Sequence, residues 1–235
     1  MLLTIEGGGE LHTDTTTVLD GFTAFEHALP YELYADMVQL LAHSQTFYTP
    51  TLMVAYGGPT AEFYFWQTTN PHGDEKLNRF TPHRALDAFG RRHIWISPDE
   101  YHFPVVARGA ADVVHAGGKV ALGAHGQLQG LGPHWELWAH AGVGGTPDRP
   151  ALTPLEAWRA ATSSAAEKIG FSADLGSIES GKLADFLVLT ADPLADIHNS
   201  TSIKWVIKNG TVYDAATLRE EWPAKRDLPP FFWTH

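Results

Sequence analysis

The sequence predicts an α/β protein: four strand–helix units forming part of a (β/α)8 TIM-type barrel, followed by a small C-terminal β-layer. Three observations carry this. Up to Gly170, short apolar runs rich in β-branched residues alternate with amphipathic helical runs, and such alternation implies a parallel sheet. Four such units make half of a (β/α)8 barrel. From Ser172 onward the texture changes to short strands, with Asn209-Gly210 as a strong hairpin signal. The predicted boundaries are a half-barrel at 1–171, with residues 59–101 as a lid-like excursion, and a C-terminal segment and tail at 172–235.

Taken in order, residues 2–5 read as a buried strand, followed by Glu6 and three glycines. A short helix at 14–19 leads to the turn signal Asp20-Gly21. A second strand, 23–26, ends in Glu26-His27. Pro30 opens a helix over 31–44, with Leu33, Met37, Leu40 and Leu41 at helical spacing. Residues 46–55 read as a third strand, closed by Gly57-Gly58-Pro59. The aromatic-rich stretch 59–101 has no sustained period and reads as short helices and loops. Residues 103–116 are helical, capped by Gly117-Gly118, and 119–124 form the fourth strand. Thr153-Pro154-Leu155-Glu156 is a helix start with cap, proline and capping-box glutamate; its helix runs to Gly170 with Leu155, Trp158, Thr162, Ala165 and Ile169 as the expected buried stripe. Residues 186–189 and 203–206 are strands, and the tail after Trp222 is irregular.

The chain has 235 residues, is 44% hydrophobic and only 18% charged, and holds eight tryptophans, which points to extensive buried surface. A net charge of -11 without a Lys/Arg run argues against nucleic acid and anionic membranes as partners. With no cysteine there is neither a disulfide frame nor a thiolate metal site. No leader pattern or bilayer-length apolar run is read, so a cytoplasmic location is the default expectation.

The chemistry concentrates at residues 119–138, where an apolar strand runs into three glycines, His125, Gln127, His134 and Glu136. The C-terminal mouth of a parallel barrel is where such folds place chemistry. Glu6, His27 and His125 each follow a predicted strand, and imidazole nitrogen with carboxylate oxygen is a donor set for zinc or a similar ion. An ion so bound makes a nucleophile of water near neutral pH. His125 is the expected chief catalytic or metal-binding residue, with Glu136 as a second catalytic candidate; His134, Gln127 and His102 are candidates for holding substrate. Bland readings stand beside these: His27 as a helix cap, Glu6 as a loop carboxylate, Glu136 as a helix-start carboxylate complementing the macrodipole. Tyr56, Phe63, Tyr64, Phe65 and Trp66 either line a pocket or form lid core, and the remaining histidines, His93 and His140 among them, read as surface residues.

Several stretches together resemble the amidohydrolase superfamily. Glu26-His27 looks like its sixth-strand metal histidine, and Thr153-Pro154-Leu155-Glu156-Ala157-Trp158 like the helix after its eighth strand. Gly176-Ser177-Ile178-Glu179-Ser180-Gly181-Lys182-Leu183-Ala184-Asp185, Asp192-Pro193-Leu194-Ala195-Asp196-Ile197 and residues 206–210 resemble the return into its small β-sandwich. Gly123-Ala124-His125-Gly126-Gln127 and Pro50-Thr51-Leu52 look most like the imidazolonepropionase- and prolidase-like branch, usually fused to an N-terminal β-propeller. The resemblance implies a metal-dependent hydrolase of amide or cyclic amide bonds, or esters and lactones, acting on a small molecule. It implies a divalent ion, zinc first and manganese or nickel as alternatives. It also marks departures: His125 stands where the family has an aspartate, Glu6 where it has a histidine, and the first-strand His-X-His pair has no counterpart. The alternatives are a non-catalytic C-terminal fragment of a larger amidohydrolase and a binding or assembly module using 59–101. A half-barrel with bare edges is further expected to pair as a homodimer or to need a missing N-terminal half.

Overall fold

Four strands lie side by side in chain order and all run the same way: β1 (Thr4–Glu6), β2 (Ala24–Glu26), β3 (Phe47–Thr49) and β4 (Lys119–Val120). The computed structural model that shows this describes residues 2–7, 9–29, 31–142 and 145–233. Between the strands come α1 (Leu11–Leu19), α2 (Ala35–Ser44), the excursion α3 (Ala61–Thr68), α4 (Glu75–Phe80) and α5 (His83–Arg91), and then α6 (Phe103–His115). After β4 follow α7 (Gly132–Gly142), α8 (Pro154–Ala161) and α9 (Ser163–Lys168). The C-terminal strands β5 (Phe186–Leu189), β6 (Ile203–Lys208), β7 (Thr211–Asp214) and β8 (Glu220–Trp222) form a separate antiparallel sheet. Its β6–β7 turn is built on Asn209 and Gly210, both at positive φ (49° and 78°), as the hairpin signal predicts.

The parallel sheet has two different faces. Phe25, Tyr48 and Val120 pack with Val18, Met37, Leu41 and Val113 beneath the helices. Ala24, Phe47 and Ala121 form a small buried cluster on the other face. Alternation along the expected strands 2–5, 46–55 and 119–124 aims Leu3, Ile5, Leu52, Val54, Val120 and Leu122 at one inward face, but in the structure they do not lie on that second face as a set. Ile5 and Val120 pack with the helix-side cluster, because a strand's faces alternate and the expected register is displaced by one residue. Leu52 and Val54 are not in a strand at all.

The second face is crossed by the end of the α8–α9 pair. Lys168 Nζ donates to Glu26 and, at 2.8 Å, to Thr49 Oγ1. Lys119 pairs with Glu167 at 2.6 Å. At the β4 edge Leu122 N–H bonds Ala160 O at 3.1 Å, which ends the ladder after Ala121 N–H reaches Tyr48 O. β4 is therefore two residues long and not the six expected at 119–124.

Other differences have equally local causes. The expected strand 46–55 stops at Thr49: Pro50 has no N–H to give, Thr51 turns left-handed (φ 52°), and Leu52–Val54 close a 3-10 turn. The helix expected at 31–44 begins at Ala35, while Leu33 is spent on packing: a Cβ on Gly109 of α6 would sit 2.9 Å from Leu33 Cγ. Pro30 lies outside the described residues. The helix 154–170 is broken at Thr162 (φ -125°, ψ -87°), so the stripe read across it is out of phase. Ala157, Ala160 and Ala166 are buried, and Leu155 and Ile169 are exposed. Its start is as expected, with the Thr153–Glu156 capping box complete.

The excursion 59–101 is indeed short helices and turns, and it is packed. Phe65 of α3 stacks on Trp135 of α7 at 5.5 Å, and Lys76 Nζ of α4 reaches Ile203 O of β6 at 2.9 Å, tying it to the antiparallel sheet. Among the described residues no helix is long and apolar enough to cross a membrane.

Candidate active site

Parallel strands deliver their C-terminal ends to one edge, and there Glu6, His27 and His125 meet. Glu6 is the last residue of β1 and pairs in register with Glu26, the last of β2. Gly7 must follow: its N–H bonds Glu26 O at 2.8 Å, and a Cβ there would fall 2.2 Å from that oxygen. His27 comes next after Glu26 and turns left-handed (φ 71°), as does His125 beyond β4 (φ 54°). With Thr51, each of β2, β3 and β4 is followed within five residues by a non-glycine residue in this costly region. Such outliers persist only where the surroundings hold them, and they gather at functional sites.

The two histidine rings stand edge to face with centroids 5.1 Å apart. Tyr56 covers His27 from a third side at 5.4 Å. Glu6 Oε1 lies 2.5 Å from His27 Nε2; the imidazole is almost fully buried, whereas Glu6 is 70% exposed. A carboxylate on one ring nitrogen fixes the tautomer and leaves the other nitrogen as a donor pair for an electrophile. That other nitrogen, His27 Nδ1, is buried and finds no hydrogen-bond partner among the described residues. Beneath this group Lys168 neutralises Glu26, so two neighbouring carboxylates at the strand ends each have a cationic or hydrogen-bonding partner. Lys168 and Thr49 are absent from the sequence reading; the break at Thr162 that brings Lys168 here leaves no periodic signal.

The other expected site residues are placed elsewhere. Gln127 Nε2 donates to Glu62 Oε2 at 2.8 Å, and Glu62, itself buried, also pairs with Arg92 at 2.5 Å and lies 3.4 Å from His93. His102 lines a groove of about 820 Å3 with Leu33, Met37 and Val105. Glu136 is fully buried, and its two oxygens accept the Leu52 and Met53 N–H groups at 2.8 and 2.9 Å. His140 and His93, expected at the surface, are inside: His140 is fully buried 3.3 Å from Glu136, and the His93 ring stacks on Trp66. Each meets a buried carboxylate, His140 from within α7 and His93 from just beyond the end of α5.

His134 lines a cleft of about 240 Å3 with Lys76, Leu77, Ile203 and Val206. Its Nδ1 is 3.0 Å from Ser200 Oγ, which also accepts Trp138 Nε1–H at 2.8 Å. Burial first, and then the Lys76 ammonium, pull its pKa down from 6.5 to about 4. The unfolded chain protonates this ring below about 6.5 and the folded chain only near 4, so the neutral ring's contribution is complete above 6.5 and is lost as pH falls through that window. The full shift corresponds to about 3 kcal/mol, or about 2 kcal/mol with solvent screening of a half-buried ring. Urea unfolding of His134→Gln at neutral and acid pH is expected to show that much less acid destabilisation than wild type; equal losses would refute the assignment.

Among the described residues the donor atoms of Glu6, His27 and His125 do not all lie within 4.8 Å of one another; only His72, His83 and Asp87 meet that spacing. The strand-end group therefore has the donor chemistry of a metal centre and an orphaned buried nitrogen, without a closed ligand shell.

The pattern of the amidohydrolase family matches residues 92–213. A search of curated proteins by sequence finds no match. Among solved structures, a Xaa-Pro dipeptidase with bound methionine in its active site superposes with TM-score 0.61 at 20% identity, covering 91% of this chain and 45% of that one. Molinate hydrolase gives 0.61 at 18% identity, covering 92% and 43%. A putative prolidase from Bifidobacterium longum gives 0.59 at 20%, covering 98% and 49%. At such identities the likeness is one of fold, and the chain spans less than half the length of each of these structures.

Proposed function

Because the chain belongs to the amidohydrolase family, we propose that it takes part in metal-assisted hydrolysis of an amide or cyclic amide bond in a small molecule, with esters and lactones as related substrates. In this reading β1–β4 with their helices are half of a (β/α)8 wall over residues 1–171, 59–101 is a lid over the strand ends, and 172–235 is part of a β-sandwich. The observation that carries the proposal is the meeting of Glu6, His27 and His125 at the strand ends, two of them on left-handed backbone. The buried His27 Nδ1, without a hydrogen-bond partner among the described residues, fits a cation, since imidazole nitrogen suits zinc-class ions. His27 and His125 would hold that ion, with zinc ahead of manganese or nickel, and Glu6 would orient His27. When bound, such an ion supplies a water of lowered pKa and polarises the scissile carbonyl. Glu6, largely exposed, is the group placed to accept a proton at its second oxygen. Glu136 and His134 are reassigned to holding structure, and Gln127 to the Glu62 network. The solved structures named for Xaa-Pro dipeptides and molinate support the small-molecule class of substrate.

The second reading is a chain that folds without turning over substrate, and the open ligand shell favours it. Metal analysis of the purified chain with a panel of dipeptide, cyclic amide, ester and lactone substrates separates the two. Bound metal with turnover supports the hydrolase; a metal-free, inert chain overturns it.

Assembly bears on the same point. Among the described residues β1 pairs only with β2 in its sheet, and Leu2 and Leu3 are exposed beside that edge. Such edges template association, and a two-fold pair of chains would bring a second set of donors near the first. Sedimentation at micromolar concentration is expected to show a species of two chains, and a folded species of one chain's mass would refute the pairing.

A further inference from the structure

A second group of donors lies in the excursion. His83 opens α5 and Asp87 follows one turn later on the same helix face, with His83 Nε2 3.6 Å from Asp87 Oδ2. His72, in the 3-10 turn Pro71–Gly73, approaches from another element, its Nδ1 4.0 Å from Asp87 Oδ1. The two imidazoles are 6.2 Å apart, edge to face. One donor atom from each residue lies within 4.8 Å of the other two. Bonds of 2.0–2.1 Å in a tetrahedral shell put donors about 3.3 Å apart. The set therefore closes by small rotamer changes in side chains that reach solvent.

His72 is already held in place. The Asn70 side chain accepts Gly73 N–H at 3.2 Å, and Asn78 Nδ2 donates to His72 O at 2.7 Å. The ring packs on Trp66 at 5.9 Å, and a Cβ on Gly90 would stand 3.2 Å from His72 Nε2. A plain ion network is the competing account, since Arg91 also reaches Asp87 at 3.7 Å. Exposed pairs of that kind contribute little and leave no reason for two imidazoles from two elements to face one carboxylate. Arg91 is largely exposed and free to swing aside.

We infer that His72, His83 and Asp87 form a surface site for a divalent transition ion, clasping α5 to the turn Pro71–Gly73, separate from the donors at the strand ends. Two nitrogens and one carboxylate oxygen select zinc, nickel or copper(II) over magnesium or calcium, which take oxygen shells, and water completes the coordination.

The test titrates the metal-stripped 235-residue chain with zinc alone, in a His27→Asn background that removes one of the two strand-end imidazoles. One zinc is expected to bind still. Adding His83→Ala or Asp87→Asn is expected to weaken that binding by about tenfold or more. Zinc is also expected to slow proteolysis within residues 59–101 in the His27→Asn chain and not after His83→Ala. No zinc bound by the His27→Asn chain, or affinity unchanged within about twofold by both further substitutions, would overturn the site, with no bearing on whether the strand-end residues support hydrolysis.

Discussion

Glu136→Ala is expected to cost about 3–5 kcal/mol of stability. The carboxylate is fully buried, and both of its oxygens are taken by backbone N–H groups of the turn after β3. Removing it leaves two buried donors unsatisfied, each worth about 1–3 kcal/mol, and opens a void beside His140. In a domain of this length that corresponds to a fall in Tm of roughly 10 °C. Glu136→Gln keeps one acceptor and presents an NH2 group to the other N–H, so about half the loss is expected. Denaturant and thermal unfolding of both variants check this. An alanine variant within about 1 kcal/mol of wild type would show that the turn finds its hydrogen bonds elsewhere. The consequence extends to the site, because the same turn leads into Tyr56, which packs on His27.

His27→Asn and His125→Asn are each expected to lower turnover by at least about a hundredfold while the fold is kept. Asparagine is the informative replacement: both positions have left-handed backbone, which asparagine tolerates far better than alanine. A loss of activity then reports the missing imidazole and not a strained turn. Glu6→Gln removes the charge facing His27 Nε2 without its hydrogen-bonding atoms and is expected to cost about ten- to a hundredfold, the range for a group that orients a metal-binding histidine. Metal content should fall in parallel for the two histidine variants. Unchanged turnover and unchanged metal in both would remove the strand-end group from the chemistry altogether.

The sequence was most informative where a signal is local. The Thr153–Glu156 box, the Asn209-Gly210 turn and the strand 186–189 appear at the residues expected, because each is set by hydrogen bonds within a few positions. The ends of β3 and β4 were not legible. β3 stops at Pro50, but the turn that replaces its continuation is held by Glu136, more than eighty residues away, which takes up the Leu52 and Met53 N–H groups, and β4 stops where Ala160 O replaces its strand partner. The faces of the sheet were misjudged for the same reason: with strands of two or three residues, one residue of register moves Ile5 and Val120 to the helix side.

The candidate site divides along the same line. That Glu6, His27 and His125 each follow a strand was readable from the apolar run before each, and parallel strands bring such residues to one edge whatever their separation in sequence. The chain by itself thus determined the α/β alternation, the capped helix start, the C-terminal hairpin and which polar side chains stand at the strand ends. Only the tertiary structure decided which candidates stay near His27. It buried Glu136 under the β3 turn, turned Gln127 to Glu62 and His134 to Ser200, and carried Lys168 across the sheet to Glu26. The physical reason is burial: a polar group removed from water must find a partner inside the fold. That partner is chosen by packing between distant segments, which local sequence does not record.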